Sequence, residues 1–209
     1  MSKMQIEKLW NSNNEYDWKK ALEKYRSQLK PELLIIEEDI INNNIKTIEK
    51  MTPKEWFDFL LNKYFKWKYT QANRYATTTK YLKKYKQENE LEELHSIKAQ
   101  FLSVEKVNIK ESLMLLSQIK GLGIAGASGL LALLYPEIYG AVDQFVVNGL
   151  IKTKEFPELK LIEPVNITLY QGVHIIKILQ QKAKELDKKF KTNFWTPRKI
   201  DMILWGNRG

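Results

Sequence analysis

The residues with the clearest chemical meaning are four closely spaced glycines, Gly121, Gly123, Gly126 and Gly129. The first two separate an amphipathic run, 109–119, from an apolar run, 124–135. A Gly-x-Gly between two helical patterns predicts a tight turn, because glycine tolerates positive φ and lets the backbone approach a neighbour closely. The second helix then presents unpaired N–H groups that bind anions. In a chain of net charge +9 the favoured anion is a nucleic-acid phosphate.

The predicted phosphate-binding residues belong to this turn. The backbone amides are those of Leu122, Gly123, Ile124 and Ala125, beside Gly121 and the ammonium of Lys120. A purely structural turn, in which the glycines only let two helices pack closely, remains the alternative.

This region resembles the helix-hairpin-helix motif of the HhH-GPD superfamily of DNA glycosylases. The resemblance covers 109–150, and it is carried by Ile-Lys-Gly-Leu-Gly-Ile-Ala-Gly-Ala at 119–127, by Tyr135-Pro136 and by Val142-Asp143. In the family's register Lys120 takes the place of a proline, and Asp143 takes the place of the catalytic aspartate. The chain departs from the family at Ala125, where bifunctional members have a nucleophilic lysine, and at Asn148, where many members have an arginine.

The resemblance implies a single compact unit of two helical lobes with the substrate cleft between them. One lobe is expected to combine 1–51 with 152–209, and the other to span 52–151 with the hairpin at 109–135. Since Ala125 replaces the lysine, the implied enzyme is monofunctional and lacks lysine-based lyase activity. The resemblance also implies a monovalent cation that bridges hairpin carbonyls to the phosphate. No other cofactor is expected. The sequence contains no pattern of residues that indicates a particular metal site.

Asp143 is the predicted catalytic carboxylate. Beside the sugar of a flipped nucleotide, a carboxylate stabilises an oxocarbenium-like transition state and orients or deprotonates water. Gln144 both donates and accepts hydrogen bonds, so it suits a base edge or the attacking water. The alternative is that Asp143 is an ordinary helix-capping aspartate.

The segment 59–87 contains no acidic residue but many basic and aromatic ones. Lysines neutralise phosphates and aromatic rings stack on unpaired bases, so the segment is a predicted DNA-binding surface. The alternative is that the rings belong to the core and the lysines to a solvated face. The residues singled out as DNA-binding are Lys66, Lys68, Arg74 and Lys80, and those singled out for the base pocket are Trp67 and Tyr69.

A second candidate pocket segment is 193–201, which contains Trp195 and Asp201. Asp201 is the second candidate for a working carboxylate. The competing interpretation is structural: Trp195 and Trp205 anchor a closing helix, and Asp201 or Arg198 belongs to an ion pair.

The elements that must position these residues are helical nearly throughout. Apolar residues recur at helical spacing along 16–29 and 166–190, and Thr52-Pro53-Lys54-Glu55 is a strong helix start. A helix is also predicted from Tyr139 to about Ile151. No strand pair or hairpin-type β-turn is evident, so the predicted fold class is all-α.

The composition of the chain excludes several kinds of functional site. The chain has no cysteine, which excludes disulfides, a thiolate nucleophile and cysteine-ligated metal centres. It has no long apolar stretch, and 1–10 is not a signal peptide, so a cytoplasmic location is expected. The pattern indicates duplex DNA as the partner, with no membrane or protein partner evident.

The leading interpretation is a monofunctional DNA glycosylase that flips a damaged or modified base from duplex DNA and hydrolyses its N-glycosidic bond. Two targets remain open: a damaged base of host DNA, which implies repair, and a modified base of foreign DNA, which implies defence. The main alternative is a non-catalytic helix-hairpin-helix protein that binds DNA by structure or damage. A third, an RNA-binding helical protein, fits the charge but not the hairpin.

Overall fold

The computed structural model describes residues 6–42 and 44–208, and this part of the chain is helical without any strand. The all-α prediction is therefore confirmed. Residues 1–5 and Asn43, which the predicted lobes include, lie outside the described part, as does Gly209. No helix among the described residues is long and apolar enough to cross a bilayer.

The chain divides into two compact units, which we call the terminal unit and the central unit. The terminal unit consists of Met1–Lys30 and Pro136–Gly209. Its helices are α1 (Ile6–Trp10), α2 (Glu15–Gln28), α11 (Gln144–Thr153), α12 (Leu169–Phe190) and α13 (Pro197–Gly206), with a 3-10 turn at Pro157–Leu161. Helix α13 is the centre of this unit because it packs against α2, α11 and α12.

The central unit is Pro31–Tyr135. Its helices are α3 (Pro31–Asn42), α4 (Asn44–Lys50), α5 (Pro53–Phe59), α6 (Phe65–Lys68), α7 (Ala72–Gln87), α8 (Leu91–Ser103), α9 (Ile109–Leu116) and α10 (Gly123–Leu134), and a π turn at Leu60–Tyr64 joins α5 to α6. Every residue of α10 from Gly126 to Leu134 is buried. This apolar helix, packed against α3 and α9, is the core of the unit.

The unit boundaries differ from those that the resemblance implied. Helices α3 and α4 belong to the central unit, and the segment 136–151, with α11, belongs to the terminal unit. The hairpin turn and Asp143 therefore lie in different units.

The local start signal at Thr52 is confirmed. The Thr52 hydroxyl accepts from the amide of Glu55, and the Glu55 carboxylate accepts from the amide of Thr52, which together form a capping box. The predicted helix start at Tyr139 is wrong, because α11 begins at Gln144. Asp143 caps it in an extended conformation, with φ −140° and ψ 177°, and this conformation prevents the helix from extending towards Tyr139.

Candidate functional site

The turn between α9 and α10 has the backbone that the glycine spacing predicts. Gly121 and Gly123 have φ of +96° and +57°, which L-residues with a side chain rarely adopt. Leu122 precedes α10 without a side-chain capping bond. The amides of Gly123, Ile124 and Ala125 are thus the first N–H groups of an uncapped helix, and Gly123 is exposed. The amide of Leu122, also predicted to bind phosphate, instead donates to the carbonyl of Ile119 at 2.9 Å.

Three tyrosine hydroxyls hold this turn in place. Tyr69 donates to the carbonyls of Gly121 and Leu122 at 2.8 and 3.2 Å. Tyr64 donates to the carbonyl of Gly126, and Tyr85 accepts from the amide of Lys120 at 3.2 Å. Burial raises the pKa of Tyr69 and of Tyr85, so both hydroxyls stay protonated at neutral pH. The turn is therefore tied to the rest of the central unit by three side-chain hydroxyls.

Helix α7 packs directly against the turn at Gly121. A Cβ atom at Gly121 would lie 2.5 Å from the carbonyl oxygen of Thr78 in α7, and 3.2 Å from Cε1 of Phe65. A Cβ at Gly123 would meet nothing within 4 Å. The first glycine is required by packing as well as by conformation, and the second by conformation alone.

We expect Gly121→Ala to lower the free energy of unfolding by about 3–4 kcal/mol, since positive-φ strain and overpacking add. Gly123→Ala is the matched control, because it adds the strain without the clash and should cost about 1–2 kcal/mol. Urea unfolding of both variants measures the difference. Equal losses would mean that α7 does not press on the turn.

Lys120 is engaged by acidic residues of its own unit. Its ammonium is bonded to Glu88 at 3.1 Å and to Glu90, and it lies 4.6 Å from the centre of the Tyr85 ring. The hydrogen bond to Glu90 is the main reason that the pKa of Lys120 is raised. The predicted phosphate contact of Lys120 would have to displace two carboxylates, so the structure does not favour it.

The other predicted DNA-binding cations lie on α6 and α7 of the central unit. Lys66, Arg74 and Lys80 are exposed. Lys68 is half-buried, and its ammonium lies 3.1 Å from where a Cβ would stand at Gly129. Three of the four cations are therefore available at the surface of the unit that carries the turn.

The predicted pocket residues divide between the units. In the central unit Tyr69 holds the turn, and Trp67 is buried and donates from Nε1 to Glu37 at 2.8 Å. In the terminal unit Trp195 is buried with its ring 6.1 Å from that of Trp18. The core interpretation of these tryptophans is confirmed, since both lie inside their units.

Asp201 is also structural. It is 1% exposed; its Oδ1 accepts from Arg198 at 2.5 Å and its Oδ2 accepts from the amide of Ala141 at 2.6 Å. Arg198 also donates to the hydroxyl of Tyr25 at 2.6 Å. The ion-pair interpretation is confirmed. By holding Ala141, the pair fixes the segment that leads to Asp143.

Asp143 caps α11. Its Oδ1 accepts from the amides of Phe145 and Val146 at 3.0 and 3.2 Å, so the capping interpretation is confirmed. Asp143 and Gln144 are both half-buried. Capping fixes the position of the Asp143 carboxylate at the start of α11.

Sequence reasoning missed Arg208. Its guanidinium lies 3.3 Å from the centre of the Trp205 ring and 5.5 Å from that of Phe145. Burial lowers the pKa of Arg208, while attraction to Asp143 opposes that shift. No sequence pattern indicates that residues 143 and 208 are neighbours, because only the packing of α13 against α11 brings them together.

The described residues contain no group of three or more histidine, cysteine, aspartate or glutamate side chains placed to hold a metal ion. Comparison with protein-family models, with curated proteins and with solved structures finds no match to this chain.

Proposed function

We propose that the protein is a monofunctional DNA glycosylase that binds duplex DNA through the α9–α10 turn. The observation that carries the proposal is the turn itself: two positive-φ glycines place the uncapped, partly exposed start of α10 at the surface of a chain of net charge +9. Such amides bind phosphate. The exposed cations of α6 and α7 also attract phosphates.

In the proposed reaction Asp143 stabilises the developing positive charge on the sugar and orients water, while Gln144 contacts the base or that water. Ala125 stands where bifunctional glycosylases have a nucleophilic lysine, so the expected product is an abasic site and not a cleaved strand. The target is a damaged host base or a modified base of foreign DNA, and the proposed site of action is the cytoplasm.

A monovalent cation at the turn is compatible with two of the carbonyls. Ile119 and Gly121 each accept one hydrogen bond at these oxygens, from Leu122 and Tyr69 respectively, which leaves one lone pair on each. The Leu122 carbonyl accepts two bonds, from Tyr69 and from the amide of Gly126. Ile119 and Gly121 would hold the ion, whose charge would attract the phosphate.

The proposed activity is tested by incubating lesion-bearing duplexes and heavily modified phage DNA with the protein and measuring released base and abasic sites. Release without strand cleavage supports the proposal. Tight duplex binding with no release from any substrate supports the second candidate, a non-catalytic DNA-binding protein. One observation favours that candidate: Asp143 already has a structural role as the α11 cap.

The binding surface is tested by Ala125→Glu. An acidic residue in the first turn suits the helix dipole, so α10 should fold, while the added charge repels phosphate. We expect the affinity for a labelled duplex to fall at least about tenfold in fluorescence anisotropy. Ala125→Gln is the neutral control of similar size and should lose much less. Equal effects of the two variants would show that no phosphate lies near these amides.

A further inference from the structure

Helix α7 is the neighbour of the hairpin turn along which bound DNA would continue. The contact between Gly121 and the Thr78 carbonyl places the middle of α7 directly beside the turn. A DNA strand whose phosphate binds the α10 amides therefore passes close to α7. What that strand meets is decided by the side chains that α7 exposes.

One aromatic ring on α7 differs from the others of its segment. Tyr81 is 49% exposed, whereas Tyr64, Phe65 and Tyr85 are fully buried. The core interpretation is thus correct for those three rings and wrong for Tyr81. Its ring is left at the surface of a helix that contains no acidic residue.

Tyr81 is flanked by cations along one stripe of α7. Arg74, Thr77, Tyr81 and Lys84 follow one another at spacings of three and four residues, which aligns them on one side of a helix. The stripe is about 15 Å long at the rise of an α-helix. The Lys84 ammonium lies 5.9 Å from the centre of the Tyr81 ring. In this arrangement the ring can stack on a nucleotide base while the positive charges on either side bind the neighbouring phosphates.

We propose that this stripe binds unpaired nucleotides next to the duplex held by the turn, with Tyr81 stacked on a base and Arg74 and Lys84 on the flanking phosphates. The inference rests on the proposed DNA binding and names its substrate class: duplex DNA with an adjoining single-stranded segment. A duplex alone offers the Tyr81 ring no base to stack on, because the base faces inside a duplex are already stacked on one another. Stacking needs an open base face, which a single strand offers.

The test compares two labelled probes in fluorescence anisotropy, a blunt duplex and the same duplex with a single-stranded thymidine tail. We expect the wild type to bind the tailed probe more tightly and Tyr81→Ala to lose about 5- to 100-fold for the tailed probe alone. Tyr81→Phe should keep the preference, since it keeps the ring. Tyr170→Ala removes a tyrosine that is 72% exposed on the terminal unit and should change neither affinity.

Equal wild-type affinities for the two probes would overturn the inference and leave the proposed duplex binding intact. Equal losses for both probes in Tyr81→Ala would also overturn it, because the ring would then contact the duplex. Failure of the blunt duplex to bind would instead refute the proposed function. Binding of the tail strand alone, lost in Tyr81→Ala, would support the stacking without the hairpin.

Discussion

Asp201→Ala is expected to lower the free energy of unfolding by about 3–5 kcal/mol, which is the typical cost of breaking a buried ion pair. The substitution takes the carboxylate from the buried Arg198 guanidinium and from the amide of Ala141. Both groups would then lack that partner in a region where Asp201 itself is 1% exposed. Urea unfolding followed by circular dichroism measures the loss.

A double-mutant cycle separates the lost pair from the lost volume. Arg198→Met in the Asp201→Ala background removes the stranded charge, so the double variant should lose less stability than the sum of the single losses. Strict additivity of the two losses would show that Arg198 and Asp201 are not coupled in solution.

The parts of the fold that local sequence determines were predictable. Helical spacing along 16–29 predicts α2, which the structure places at Glu15–Gln28, and Thr52-Pro53 marks the start of α5. Helix α1 was not predicted, since it has only five residues and owes its stability to burying Leu9 and Trp10. Its existence depends on tertiary packing that no local pattern records.

In the candidate site, too, some features were predictable from the sequence and others were not. The backbone of the hairpin turn was predictable, because few residues other than glycine tolerate positive φ. The hydrogen bonds of Tyr64, Tyr69 and Tyr85 were not predictable, since they depend on how the π turn, the end of α6 and α7 pack against the hairpin turn. The same holds for Lys120, whose carboxylate partners lie in the turn between α7 and α8, about thirty residues earlier in the chain. Spacing predicts which side chains share a helix face, but not which face the neighbouring helix covers.

Asp143→Asn is expected to reduce base release by about 100- to 10,000-fold, the range for losing a general base or an equivalent carboxylate. The variant should keep its stability, since asparagine caps helices as well as aspartate does. Asp143→Ala should lose activity as well as about 1 kcal/mol of stability, because the amides of Phe145 and Val146 lose their acceptor. The pair of variants therefore separates chemistry from capping. Rates of abasic-site formation and urea midpoints are measured on the same preparations.

Asp187→Asn is the matched control for this comparison. Asp187 also lies in the terminal unit, and its Oδ1 accepts from the amides of Phe194 and Trp195 at 2.9 and 3.0 Å. Asp187 resembles Asp143 in accepting from two successive backbone amides, but it does so from within α12 and not from a helix N-terminus. Because Asp187 has no proposed role in the chemistry, its variant should retain base release. If Asp143→Asn keeps full base release as well, Asp143 is only the cap of α11 and another group must carry the reaction. If only Asp143→Asn loses it while duplex binding persists, the carboxylate acts on the bound nucleotide, and capping is the reason it is held in place.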